Sequence, residues 1–127
     1  MVTSGQQGRR QRQGAMADAG GRAAEHQVAR LYEAQGHRLV AARWRGQGGE
    51  IDLIFDAPPA LIFVEVKRAR THDLALHRLA EHPRHRLFSA VAEYHALQAV
   101  PQECICRIDA ALVDGTGRIK ILENAFV

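Results

Sequence analysis

Two apolar segments, Ile51-Asp52-Leu53-Ile54-Phe55 and Leu61-Ile62-Phe63-Val64-Glu65-Val66-Lys67, stand apart by only Asp56-Ala57-Pro58-Pro59-Ala60. Both segments read as strands, and the break between them is a turn-forming cluster short enough for a β-hairpin that pairs them antiparallel. The hairpin is not a plain one. Asp52, Glu65 and Lys67 interrupt it where a core strand would carry another Val or Ile. An ionised carboxylate buried without a partner is very costly, so such groups are paired or coordinate metal.

Side chains alternate along a strand and return to the same face about every 7 Å, so Glu65 and Lys67 share one face while Ile62, Val64 and Val66 share the other. With Asp52 set opposite Glu65, the two Cβ atoms lie about 5 Å apart, a separation suited to two oxygens sharing one divalent cation and not to two bare anions. The same register sets Glu50 opposite Lys67. Two carboxylates with waters in the remaining positions are what Mg²⁺ prefers. Such an ion activates water and stabilises charge on a phosphoryl group, and a nearby lysine can orient the water or meet the developing charge. Lysine is rare here: Lys67 and Lys120 stand against many arginines. A compact ammonium whose pKa shifts readily does what a guanidinium cannot. The rival reading is an ion pair among Glu50, Glu65 and Lys67 with no chemistry.

Four segments in order, Gly49-Glu50-Ile51-Asp52-Leu53-Ile54, Phe63-Val64-Glu65-Val66-Lys67, Arg107-Ile108-Asp109 and Asn124-Ala125-Phe126, resemble the YraN-like bacterial proteins. The fold of those proteins looks like that of Holliday junction resolvases in the PD-(D/E)XK nuclease superfamily. The resemblance runs from about Gly21 to Phe126. It implies that Asp52, Glu65 and Lys67 fill the D…E-x-K positions, as catalytic residues, and that Glu25 is the acidic residue such folds often supply from the first helix to the metal. This chain departs from the pattern in three places. Ala24 stands where members usually have Gly, Arg43 where many have Asn, and Thr71-His72-Asp73-Leu74-Ala75-Leu76-His77-Arg78-Leu79 replaces a Gly-Lys-rich stretch.

At 127 residues with a 46% hydrophobic share, the chain suits one small domain, residues 20–127, behind an aperiodic tail, 1–19, rich in Gly, Gln, Arg and Ser that is expected to be disordered. Met16 is a second candidate start. No apolar run is long enough to span a bilayer and no signal-peptide hydrophobic region opens the chain, which points to a cytoplasmic protein without a membrane partner. Cys104 and Cys106 are expected to be buried reduced thiols, since a C-x-C supplies too few ligands for zinc. The formal charge of +3 owes two units to Arg9, Arg10, Arg12 and Asp18 in the tail, so overall basicity is no argument for nucleic acid. Placement is the stronger argument: Arg43 and Arg45 precede the Asp52 strand, Arg68 and Arg70 follow the Glu65 strand, and the four flank the site where phosphates would arrive. The alternative is that an arginine-rich composition scatters arginines everywhere.

Ala24, Val28, Leu31 and Tyr32 recur at helical spacing over 21–35, with Gly36 a C-cap. Glu25 lies on the edge of that stripe. Residues 37–44 read as a first strand, leading through Arg45-Gly46-Gln47-Gly48-Gly49, which lacks the Gly-Lys-Ser/Thr ending of a P-loop. After Arg70 the chain reads as irregular until Pro83, which opens a helix to about Gln98 with Leu87, Val91, Tyr94 and Leu97 inside. Residues 104–113 and 118–122 read as two more strands across the turn Asp114-Gly115-Thr116-Gly117. His72, His77, His82 and His85 read as solvated surface, Arg107 and Asp109 as an internal ion pair, and Phe126 as packed on the sheet.

The fold expected is an α/β, restriction endonuclease-like (resolvase-like) single domain, a helix followed by a mixed five-stranded sheet with a second helix between strands 3 and 4. The function expected is a metal-dependent nuclease: Asp52 and Glu65 hold Mg²⁺ or Mn²⁺, Lys67 assists the attacking water, and Glu25 supports the ion or its waters. The substrate is DNA, with branched, flap and single-stranded forms all open, and the resemblance admits a homodimer. The rival is a non-catalytic nucleic-acid-binding or assembly module that keeps the fold.

Overall fold

The computed structural model describes residues 20–126. The expected N-terminal tail and Met16 lie outside the described residues. Helix α1 covers 20–34 and is followed by strands β1 (Arg38–Arg45), β2 (Glu50–Ala57) and β3 (Ala60–Arg68), helices α2 (His72–Glu81) and α3 (Arg84–Leu97), and strands β4 (Ile105–Val113) and β5 (Ile119–Leu122). The strands form one sheet in the order β1-β2-β3-β4-β5. All neighbours are antiparallel except β3 and β4. A parallel pair cannot be joined by a tight turn, so the chain crosses over through α2 and α3.

Alternation along each strand divides the core into two layers. Leu61 and Phe63 of β3 with Ala110 and Leu112 of β4 pack under Ala75 and Leu79 of α2 and Leu87, Ala90 and Tyr94 of α3. Ile62, Val64, Ala111 and Val113, one residue out of step, pack against Ala24, Val28, Ala29 and Tyr32 of α1. Burial of both faces explains why β3 reads as an almost unbroken apolar run.

The α/β class, the mixed five-stranded sheet and the leading helix are as the sequence predicts. The stretch after Arg70 is not irregular. Thr71 caps α2 by accepting the Leu74 N–H at 3.1 Å, and Ala75 and Leu79, four apart, are its buried positions. Only two buried side chains leave the helical period faint. In α3 Leu97 is 66% exposed, and Ala90 takes the inner position with Leu87 and Tyr94. The thiols are not buried: Cys104 is half-buried, just outside β4, and Cys106 is exposed.

The carboxy-terminal motifs are structural. Arg107 donates from Nε and Nη2 to the two oxygens of Asp109, each at 2.9 Å. Tyr32 Oη donates to Asp109 at 2.7 Å, and the Asn124 N–H donates to it at 2.9 Å. Asp109 is fully buried, and these four bonds replace the water it gives up. Phe126 is buried in the α2/α3 layer, edge-on to Phe88.

Candidate functional site

The β2–β3 ladder has the register expected, Leu53↔Val64 through Ala57↔Ala60 around the turn Pro58-Pro59. It stops one pair short of the charged residues. Continued, it would set Asp52 against Glu65 and Val66 against Ile51, but the Val66 N–H donates instead to Asp52 Oδ2, at 2.7 Å. A carboxylate has taken the place of a ladder carbonyl, and the two strands part around it.

A second irregularity lies across β2. Ala42 and Leu53 are paired and line a cavity with Ala29 of α1, whereas Trp44 and Ile51, the next pair along the ladder, belong to the opposite layer, Trp44 edge-on to Tyr94 of α3. Two residues along a regular strand return a side chain to the same face. Both strands therefore turn over between these pairs, at Arg43 and Asp52. Arg43 has φ +51, the left-handed conformation that an Asn adopts more readily. Asp52 is thereby placed where it feels α1 on one side and Glu65 on the other.

Glu65 is only 4% exposed. Its Oε1 lies 3.3 Å from Lys67 Nζ and 3.5 Å from His82 Nδ1. Burial, and next the Asp52 charge, push the Glu65 carboxyl up to about 8. Burial also lifts Asp52, to about 6, against the Val66 hydrogen bond, which holds it down. Two carboxyls held together out of water cannot both ionise without help, so the pair keeps a proton. Lys67 pulls both down and does not cancel the effect.

The remaining predicted residues are distributed unequally. Glu25 of α1 adds to the negative field at Asp52, yet its own Oε2 accepts from Arg43 Nε at 2.9 Å. Among the described residues no three His, Cys, Asp or Glu side chains stand together as a ligand set. Glu50 does not reach Lys67; it is exposed and 3.4 Å from Arg45. Arg43 and Arg45 are thus both tied to carboxylates. Arg68 and Arg70 lie in a groove beyond β3 with Arg78 of α2.

His82 was not legible as part of this site. It follows the last turn of α2, a helix the apolar spacing hides, and burial together with Lys67 and Arg86 holds its imidazole below the ordinary range. His72 also departs from a solvated surface, with Nε2 2.9 Å from the Arg118 carbonyl oxygen. The glycine-rich loop packs onto α3. The Gln47 N–H donates to both Glu93 oxygens, at 3.1 and 2.9 Å, and a Cβ on Gly49 would come 2.6 Å from the Arg86 carbonyl oxygen.

The donor set suits a hard divalent cation that retains water: two carboxylates, raised chiefly by burial, and no thiolate. Such an ion would be held by Asp52 and Glu65, with most of its shell left to water or substrate.

Comparison with known proteins places residues 24–113 within the model of a family described as the uncharacterised protein family UPF0102. A UPF0102 protein of Cereibacter sphaeroides is 43% identical over 113 residues, covering 89% of this chain and 97% of the relative. One from Ruegeria pomeroyi is 48% identical over 106 residues, 84% of this chain and 86% of its own. One from Roseobacter denitrificans is 40% identical over 112 residues, 88% and 87% respectively.

Proposed function

The chain belongs to the UPF0102 family, and because that description assigns no chemistry we infer the function from the site itself: metal-dependent hydrolysis of phosphodiester bonds in DNA, on a fold of the PD-(D/E)XK nuclease type. The observation that carries this reading is the meeting of Asp52 and Glu65 where β2 and β3 part, with Lys67 Nζ 3.3 Å from Glu65. A structural ion pair would match one cation to one anion. Here a buried carboxyl, Glu65, and a half-buried one, Asp52, face one ammonium, and a divalent cation that displaced their shared proton would leave both ionised and matched.

Asp52 and Glu65 are the ligands for Mg²⁺ or Mn²⁺, which when bound supplies a more acidic water and a counter-charge for the phosphoryl oxygens. The chain's own residues do the rest. Val66 fixes the Asp52 carboxylate through its N–H, leaving Oδ1 for the ion. His82 and Lys67 meet at Glu65 Oε1 and hold its rotamer. Lys67, 25% exposed at its side chain, is open enough to touch solvent and orients the attacking water or meets charge on the phosphate. Glu25, braced by Arg43, supports the ion's waters from α1. Of the four arginines expected to meet phosphate, Arg68 and Arg70 border the site as phosphate contacts, whereas Arg43 and Arg45 are held by Glu25 and Glu50, and a homodimer would suit a two-fold symmetric junction.

The deciding experiment is cleavage of labelled junction, flap, single-strand and duplex DNAs in Mg²⁺ or Mn²⁺. Cutting that Asp52→Asn abolishes supports the hydrolase. Binding without cutting in either ion favours the module that retains the fold without turnover.

A further inference from the structure

Arginine is the common cation of this chain, and in the fold most of its copies on the sheet are neutralised. Arg38 lies 3.0 Å from Asp56, Arg43 2.9 Å from Glu25, Arg45 3.4 Å from Glu50 and Arg107 2.9 Å from Asp109. Arg68, Arg70 and Arg78 break this pattern. None of the three has a carboxylate partner among the described residues, and all three line one groove of about 480 Å³.

The groove is built on a fixed floor. The Ala69 N–H donates to the Val113 carbonyl at 3.1 Å and the Gly115 N–H to the Arg70 carbonyl at 3.0 Å, which pins the chain beyond β3 to the β4–β5 turn. Arg78 is fixed from above: its Nη1 donates to the Arg68 carbonyl at 2.9 Å, so the side chain reaches from α2 into the groove. Asp114 is the one acid in the lining, and its Oδ1 is spent on the turn, accepting from Thr116 N at 2.9 Å, Thr116 Oγ1 at 2.8 Å and Arg118 N at 2.9 Å. Its Oδ2 lies 3.9 Å from His72 Nε2. Three arginines to this one acid leave a concave surface of net positive charge. An anion with several oxygens meets such a surface through the forked N–H donors of arginine.

We propose that Arg68, Arg70 and Arg78 form a phosphate-binding groove that takes a backbone phosphate of the nucleic-acid strand, at the end of β3 where the Arg68 guanidinium lies against Gly20 of α1 and Arg78 comes from α2. The assignment rests on the nuclease reading for the identity of the strand. Arg68 directly follows Lys67, so the groove adjoins the proposed reaction centre and sits where a neighbouring phosphate of the same strand would fall. Arg43 and Arg45, tied to Glu25 and Glu50, then brace the site and do not bind the strand. The path of the substrate is then over the end of β3.

The test is fluorescence anisotropy of a short single-stranded DNA in chelator, where no hydrolysis can intervene. The triple variant Arg68→Gln/Arg70→Gln/Arg78→Gln is expected to bind at least tenfold more weakly, with a salt slope shallower by about two, since each lost contact on a single strand removes about 0.7. Arg70→Gln alone guards against misfolding, because Arg70 is exposed and has no carboxylate partner among the described residues; it is expected to lower the slope by about 0.7. Arg45→Gln is expected to change neither. Unchanged affinity and slope in the triple variant overturn the groove, as does an equal loss in Arg45→Gln. If the wild type binds pyrophosphate through these arginines and no oligonucleotide, the groove serves a free phosphate and the nucleic-acid assignment falls. If binding depends on the groove and no DNA is ever cut, the hydrolase reading fails while the groove stands.

Discussion

The Val66 N–H points at Asp52 Oδ2, 2.7 Å away, in the place where an unbroken hairpin would offer it a backbone carbonyl. One side chain thus does two things. It ends the β2–β3 ladder after Leu53↔Val64, and it holds its own second oxygen in the opening so made.

The two roles come apart by mutation. Asp52→Asn keeps an acceptor for Val66 and removes a charge, so it is expected to fold as well as wild type in chelator while losing the Mn²⁺ site seen by calorimetric titration. Asp52→Ala loses the ion and also strands the N–H, and should be less stable than Asp52→Asn by about 1 kcal/mol. Equal Mn²⁺ binding by wild type and both variants would place the ion elsewhere.

The shared proton gives a pH signature. Glu65 titrates near 8 in the folded protein against an ordinary 4.5, so the native state holds a proton that the unfolded chain releases. The corresponding stability is present below about 4.5 and is lost as pH rises through about 8. In chelator, urea midpoints are expected to fall from pH 5 to pH 8, and Glu65→Gln is expected to flatten that fall. Saturating Mn²⁺ should oppose the trend, because the ion binds the deprotonated pair. A wild-type midpoint that does not fall over this range in chelator would mean the pair holds no proton.

Much of this arrangement was legible because it is local. The hairpin register follows from a Pro-rich break between two alternating segments, and it brings Asp52 toward Glu65 without knowledge of the rest of the chain. The convergence of α1 on the same site was legible only through resemblance, since Glu25 at the edge of a helical stripe looks like any surface acid. What could not be read is what depends on packing across the sheet. The turnover of β1 and β2 at Arg43 and Asp52 appears only when Ala42 faces α1 and Trp44 faces Tyr94. α2 buries just Ala75 and Leu79, too few to mark a period, and with that helix hidden neither His82 nor Arg78 could be brought to the site. Glycine spacing likewise gives no hint that Gly49 sits against α3.

Gly49 carries the next prediction. A methyl group there would lie 2.6 Å from the Arg86 carbonyl oxygen, and a backbone carbonyl in a helix cannot swing aside as a side-chain tip can. Gly49→Ala is expected to push the loop off α3 and cost about 1–3 kcal/mol, the range for forced overpacking. Thermal unfolding measures it, and a wild-type midpoint would show that the loop moves freely. Gly48→Ala meets only the Ser89 side chain, at 3.1 Å, and should cost less.

Lys67 separates chemistry from affinity. Its ammonium is one cation beside a groove of three arginines, so Lys67→Ala is expected to leave oligonucleotide affinity within a few-fold of wild type. Transition-state charge is another matter, because a positioned donor acts most strongly where charge develops, and losing one such group typically slows a reaction by about 10²–10³-fold. Single-turnover cleavage by Lys67→Ala should fall by at least that much at unchanged binding. Lys67→Arg tests whether charge alone suffices. A guanidinium keeps the charge, but its planar fork needs more room than an ammonium 3.3 Å from Glu65 Oε1 in a half-buried position. It is expected to restore little of the rate. Full activity in Lys67→Arg would reduce the lysine to a generic counter-charge for Glu65, and full activity in Lys67→Ala would remove it from the mechanism.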